Sequence, residues 1–217
     1  MKLKAILFDF DGTLVYSIDM LVEIFGELLA ERNLPKVDPA KIRKLIGEPL
    51  PEIFRKIAPI SDADFLEKRF REIEFERNNA DEIELVTETV STLEFLKSHN
   101  LRIGIVSTKR VAVVEKLARE LGIWDFFEIV VGRDLITKPK PDPEPILFGC
   151  RKLGIKPQEI LFVGDSLLDL KSAKAAGATF FGVLTGVCDR AEFKKNRADY
   201  IFSHIGELVN LIRELQN

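Results

Sequence analysis

Asp9 and Asp11 stand two residues apart at the end of an apolar run, in the stretch LFDFDGTLV (residues 7–15). Ionised carboxylates removed from water need a metal ion, a basic side chain or a bound substrate. A solvated turn would serve as well, so the pair alone decides nothing. Suitable groups recur downstream: Ser107 and Thr108 closing LRIGIVST (101–108), Lys138 and Lys140 in TKPKPDPEP (137–145), and Asp165 and Asp169 in GDSLLD (164–169). If these converge, four acids meet a hydroxyl and a lysine. Clustered carboxylates suit a hard cation, and Mg2+ fits, completed by water and substrate phosphate. Ser107 and Lys140 can donate to phosphate oxygens, as can the backbone N–H groups of the turn after Asp9. With its charge shielded, Asp9 can attack phosphorus and form an aspartyl-phosphate. Asp11 can protonate the leaving oxygen and later deprotonate a water.

The elements that must position these groups alternate. Apolar runs at 3–10, 101–108, 126–132, 159–165, 178–184 and 198–202 read as strands buried on both faces of a parallel sheet. Helical patterns at 110–121, 142–153 and 167–176 each stop at a glycine, and another covers 204–215. This is an α/β pattern, a doubly wound, Rossmann-like parallel sheet, and ligands of such sheets sit outside the carboxyl ends of the strands. The segment of roughly residues 15–100 is too long for one crossover. Four helical stretches fill it, at 17–34, 38–47, 50–57 and 61–78. The spacing predicts a catalytic core of residues 1–15 and 85–217, with a helical cap of 16–84 inserted between.

DFDGT, then VST, KPDPEP and GDSLLD in this order resemble the haloacid dehalogenase-like hydrolase superfamily. The spacing and LIGEPL (45–50) are most similar to its phosphoglycolate phosphatase and pyrophosphatase group, with an α-helical cap. The resemblance implies a phosphatase with Asp9 as nucleophile, Asp11 as general acid and base, and Ser107 and Lys140 as phosphate ligands, with Thr108 beside them. It also implies Mg2+ held by Asp9, the Asp11 carbonyl and Asp165, with Asp169 behind, orienting a metal-bound water or the lysine. Dehalogenases and phosphonate hydrolases of the superfamily lack an acid at the position of Asp11, which favours phosphate esters here. Three departures lie near the cap or its hinges: Tyr16-Ser17 where Asp-Ser is frequent, ELVTETV (84–90) where Pro-Gly is frequent, and Thr108 where Asn is frequent. A phosphomutase similar to β-phosphoglucomutase and an inorganic pyrophosphatase would keep the same blocks. A phosphoacceptor signalling domain would place its acid pair first and its acceptor later, the reverse of the order here. The cap must supply what the phosphate rim does not, so Gly47 and Glu48 are expected to face the leaving group.

Bland readings stand beside these. Ser107 can cap the following helix, and Thr108 reads as the more structural of the two. Lys-Pro-x-Pro begins at Lys138 or at Lys140; Asp142 as N-cap and Pro143 at the first helical position put Lys140 nearer the rim. Lys109, Arg110 and the cap charges read as solvated faces. His99 and His204 are expected at surfaces, Cys150 in the core on a helix and Cys188 in a loop, with Trp124 and Phe126–Phe127 as core.

The chain has 217 residues, 46% of them hydrophobic, enough for a sizeable core. A net charge of −3 without a basic stripe argues against nucleic acid. The first apolar run is interrupted by Asp9 and Asp11 and no stretch is long enough for a membrane span. Two distant cysteines read as reduced thiols of a cytoplasmic protein. The expected partner is a small phosphorylated metabolite, with neither nucleic acid nor membrane, and the expected state is monomer or homodimer.

Overall fold

The structure is a computed structural model that describes residues 3–57 and 63–216. Six parallel strands form the main sheet: β1 (Ala5–Phe8), β4 (Arg102–Val106), β5 (Ile129–Val131), β6 (Ile160–Gly164), β7 (Thr179–Val183) and β8 (Tyr200–Phe202). Their spatial order is β5-β4-β1-β6-β7-β8, so the chain fills one side of β1 and then reverses to fill the other. The crevice at that reversal is where such sheets bind ligands. Register makes the crevice sharp. Phe8 pairs with Ile105 on one side and Val163 on the other, so β1, β4 and β6 end at one level.

Alternate residues of β1 enter opposite cores, as a period of two requires. Ile6 and Phe8 pack under α5 (Thr89–Ser98), α6 (Val111–Glu120) and α10 (Leu208–Gln216). Ala5 and Leu7 pack against α7 (Glu144–Leu153), α8 (Leu167–Ala176) and α9 (Arg190–Lys195). Trp124, Phe126 and Phe127 are half-buried at the edge of the first core, not inside it as expected from their type. Rings of this size reach a core while one face stays wet.

Between β1 and β4 lie α1 (Ile18–Glu31), α2 (Pro39–Arg43), α3 (Leu50–Ile57) and α4 (Ala63–Arg77). Ser61 and Asp62, assigned from sequence to the last of these, lie outside the described residues. The chain leaves and re-enters the core through a two-stranded antiparallel ribbon, β2 (Val15–Tyr16) with β3 (Glu84–Leu85). The helices share an aromatic centre: Phe25 lies 5.2 Å from Phe54 and 4.6 Å from Phe70, ring centre to ring centre. Arg77 at the end of α4 holds Glu23 and Glu27 of α1 at 2.7 and 2.8 Å. These exposed pairs set the approach of the two helices more than they stabilise it. Among the described residues no helix is long and apolar enough to cross a membrane.

Candidate active site

The loop after β1 turns back at Gly12, whose φ of +70° is a conformation that disfavours side chains. A Cβ there would stand 2.6 Å from Asp165 Oδ2, so only glycine lets the two loops approach. Asp9 Oδ1 accepts from the Phe10 N–H at 2.7 Å. Its Oδ2 lies 3.0 Å from Lys140 Nζ. Asp165, at the end of β6, accepts from the Thr13 hydroxyl at 3.2 Å and from the Val187 N–H at 2.8 Å.

Lys140 is buried and Lys138 is exposed, which separates the two lysines that the repeated Lys-Pro-x-Pro left open. Besides Asp9, Lys140 Nζ donates to Asp169 Oδ1 at 2.6 Å and to the Val106 carbonyl at 3.4 Å. Asp169 Oδ2 accepts from the Ser166 N–H at 3.0 Å and the Ser166 hydroxyl at 2.5 Å. Both oxygens of Asp169 are therefore engaged. The helix carrying the lysine loop starts one residue later than expected: Pro143 is the N-cap of α7, and Asp142 Oδ1 accepts from the Glu144 N–H at 2.9 Å.

Ser107 is buried, and its hydroxyl accepts from the Lys109 N–H at 3.1 Å. It does not cap α6, whose N-cap is Arg110, because two residues of turn intervene. Lys109 corrects the sequence reading. It is not a solvated charge but is 4% exposed, with Nζ 2.7 Å from Glu74 Oε1 on α4 and 3.3 Å from Asp11 Oδ1. Asp11 Oδ1 also accepts a short hydrogen bond from the Ser17 hydroxyl. Glu74, one of the cap charges expected on a solvated face, is likewise buried, because Lys109 pairs with it. Ser17, which the sequence marks only within the Tyr16-Ser17 departure, is a partner of Asp11.

A cavity of about 430 Å³ opens between the inserted helices and the sheet rim. Asp9, Asp11, Thr108 and Asp165 line it from the core, and Gly47 and Glu48 line it from the opposite side. Gly47 has φ +97°, so the loop turns there without a side chain. Glu48 pairs with Lys56 at 2.5 Å. Ser107, Lys140 and Asp169 are not part of this lining; Lys140 meets Asp9, Asp169 meets Ser166, and Ser107 stands beside Thr108 and Lys109, all four of these neighbours lining the cavity.

All seven buried charged side chains among the described residues gather here: Asp9, Asp11, Glu74, Asp165 and Asp169 against Lys109 and Lys140. Burial pushes the Asp9 carboxyl well above its ordinary range; Lys140 opposes this, and Asp169, Asp165 and Asp11 add to it. Asp165 is pushed up to about 7, by burial first and then by Asp169. Burial alone would lower both lysines, but Asp169 and Asp9 hold Lys140 above its ordinary range, and Asp11 and Glu74 do the same for Lys109. Two lysines do not balance five acids, and unpaired buried carboxylates are costly. Asp9, Asp165 and Asp169 each place an oxygen within 4.8 Å of the others. A cluster of oxygens with surplus negative charge fits a hard divalent cation.

Residues 6–183 match the family model described as haloacid dehalogenase-like hydrolase. The N-acetylmuramic acid 6-phosphate phosphatase of Pseudomonas putida is 33% identical, over 98% of this chain and 97% of that one. The pyrophosphatase PpaX of Oceanobacillus iheyensis is 32% identical, over 98% of each. The phosphoglycolate phosphatase of Chromobacterium violaceum is 30% identical, over 97% of each. A crystal structure of a Bacteroides fragilis chain carrying the name haloacid dehalogenase-like hydrolase superposes with a TM-score of 0.87 at 36% identity, covering 95% of this chain and all of that one. On the match over residues 6–183 and these full-length relatives, the chain belongs to the haloacid dehalogenase-like hydrolase family.

Proposed function

We propose that the protein is a Mg2+-dependent phosphatase that hydrolyses a small phosphorylated metabolite through an aspartyl-phosphate on Asp9. The gathering of all the buried charged side chains among the described residues around one cavity supports this reading most directly. Asp9 and Asp165, with the Asp11 carbonyl, are the groups we assign to the cation, which would supply positive charge beside the phosphate. Asp169, both of whose oxygens are engaged, is assigned to holding Lys140 in place. Lys140, Ser107 and Thr108 are assigned to the phosphate, and the helices 18–77 to a cap that closes over it.

The chemistry takes two steps. An Asp9 oxygen attacks phosphorus, the bond from phosphorus to the ester oxygen breaks, and Asp11 gives its proton to that oxygen, releasing an alcohol. Asp11, now a carboxylate, takes a proton from water while the hydroxide adds to phosphorus and Asp9 leaves. The products are inorganic phosphate and the starting enzyme. Uncatalysed monoester hydrolysis is so slow that enzymes of this kind reach on the order of 10²¹-fold acceleration.

Three relatives of similar identity carry three different substrate names, so overall identity does not choose among them. A phosphoglycolate-like ester is the first reading. The cavity, at about 430 Å³, also has room for a larger leaving group, which favours including sugar phosphates as a second. The setting we infer is cytoplasmic, supported by two free thiols.

Rapid mixing with nitrophenyl phosphate in Mg2+ tests the roles. Wild-type protein should turn over and stop in excess chelator. Asp9→Asn should release no nitrophenolate. Asp11→Asn should release about one nitrophenolate per site and then stall, because this leaving group needs no proton but the next step needs a base. Equal, burst-free rates in both variants would overturn the division of roles.

A further inference from the structure

Lys109 and Glu74 belong to none of the four blocks, yet they form the buried ion pair that joins the inserted helices to Asp11. Their charged atoms lie 2.7 Å apart, and their side chains are 3% and 8% exposed. Glu74 stands on the end of α4 that is fastened to the core. One turn on, Asn78 Nδ2 donates to the Val113 carbonyl at 2.8 Å. Lys116 Nζ donates to the Asn78 carbonyl at 2.7 Å and the Phe75 carbonyl at 3.2 Å. The pair is thus tied to both α4 and the loop after β4.

Its effect falls on one atom. Asp11 Oδ1 meets Lys109 Nζ at 3.3 Å and also accepts from the Ser17 hydroxyl. Asp11 Oδ2 has no hydrogen-bond partner among the described residues, and Asp11 lines the cavity. The two oxygens of a carboxylate are chemically equivalent until something distinguishes them. Here Oδ1 is anchored and Oδ2 is left to exchange a proton with a ligand.

We infer that Lys109 and Glu74 are positioning residues for proton transfer: the buried pair anchors one oxygen of Asp11 so that the other is presented to the leaving group. Glu74 keeps Nζ on the Oδ1 side and balances the lysine's charge, so Lys109 does not close over both oxygens. This inference rests on the phosphatase reading above, since it assigns Asp11 a proton to give.

The test compares first-turnover release of nitrophenol and of unsubstituted phenol from their phosphate esters. Phenol leaves poorly without a proton, and nitrophenolate leaves without one. A buried ion pair replaced by apolar residues of similar volume usually folds as well as the original, whereas removing one partner leaves a buried charge. The double variant Lys109→Met/Glu74→Leu is therefore the main probe, with Glu74→Gln as a near-isosteric second. In the double variant, with Tm maintained, phenol release should fall about 10- to 100-fold while nitrophenolate release stays within about threefold. Glu74→Gln should shift the ratio the same way by a smaller factor. An unchanged ratio of the two rates in both variants, or equal losses on both esters, would overturn the inference and leave the phosphatase reading standing. Wild-type protein that turns over neither ester would overturn that reading, and the inference with it.

Discussion

Removal from water raises the pKa of a carboxyl or a thiol and lowers that of an ammonium, and at single residues the neighbours decide whether that shift survives. Burial pushes the Cys150 thiol up to about 11 and the Cys188 thiol to about 12. A thiol near 11 is about one part in a thousand thiolate at pH ~8, against roughly a quarter for an ordinary thiol near 8.5. Native protein should therefore resist iodoacetamide at pH ~8, with a rate that climbs about tenfold per pH unit up to about 10. The denatured chain should label at both positions. Fast stoichiometric labelling of native protein at pH ~8 would contradict the burial of these thiols. The lysines show the opposite balance, because carboxylates beside Lys109 and Lys140 outweigh their desolvation. That contrast explains what was legible residue by residue. Asp9, Asp11, Asp165 and Lys140 were readable because strand ends and Lys-Pro spacing fix their places. Lys109 was not, since its burial depends on Glu74, 35 positions earlier and on another element.

At the level of elements, near-continuous apolar runs located all six strands of the main sheet, and glycines marked the ends of α7 and α8. Short or atypical elements escaped. Val15–Tyr16 and Glu84–Leu85 are two residues each, too short for any periodicity, and they pair only because the insertion brings its ends together. The helix Thr89–Ser98 begins with Thr-Val-Ser-Thr, a strand-like composition that buried packing of Leu93 and Leu96 overrides. Arg190–Lys195 is brief and polar, but Asp189 and Glu192 form a capping box that announces it. Elements also set where specificity resides. The loop of Gly47 and Glu48 faces the acids across the cavity, and the ion partner of Glu48 is Lys56 rather than a group assigned to phosphate. Glu48→Ala should therefore change relative kcat/KM across a panel of phosphorylated metabolites, by about tenfold or more for some, while nitrophenyl phosphate changes little. Uniform loss on every substrate would mean that the loop only supports folding.

Across the whole molecule, two apolar cores stabilise the fold while one buried site opposes it. Five acids and two lysines share that site, so the metal-free protein folds against its own charge. Removing one carboxylate should then stabilise it, provided no hydrogen bond is lost. Asp165→Asn meets that condition. Its carbonyl can accept from the Val187 N–H and its amide can donate to the Thr13 hydroxyl, the two partners of Asp165. In chelator at pH ~8 the variant should gain on the order of 1–3 kcal/mol over wild type. For a chain of this size that is a rise in Tm of several degrees. Added Mg2+ should raise the wild-type Tm, because a ligand bound only to the folded state stabilises it, and should scarcely move the variant. Asp125→Asn is the control, since Asp125 is exposed and far from the rim in the turn before β5; it should leave both responses as they are. A variant less stable than wild type in chelator, yet still stabilised by Mg2+, would show that Asp165 neither strains the fold nor holds the cation.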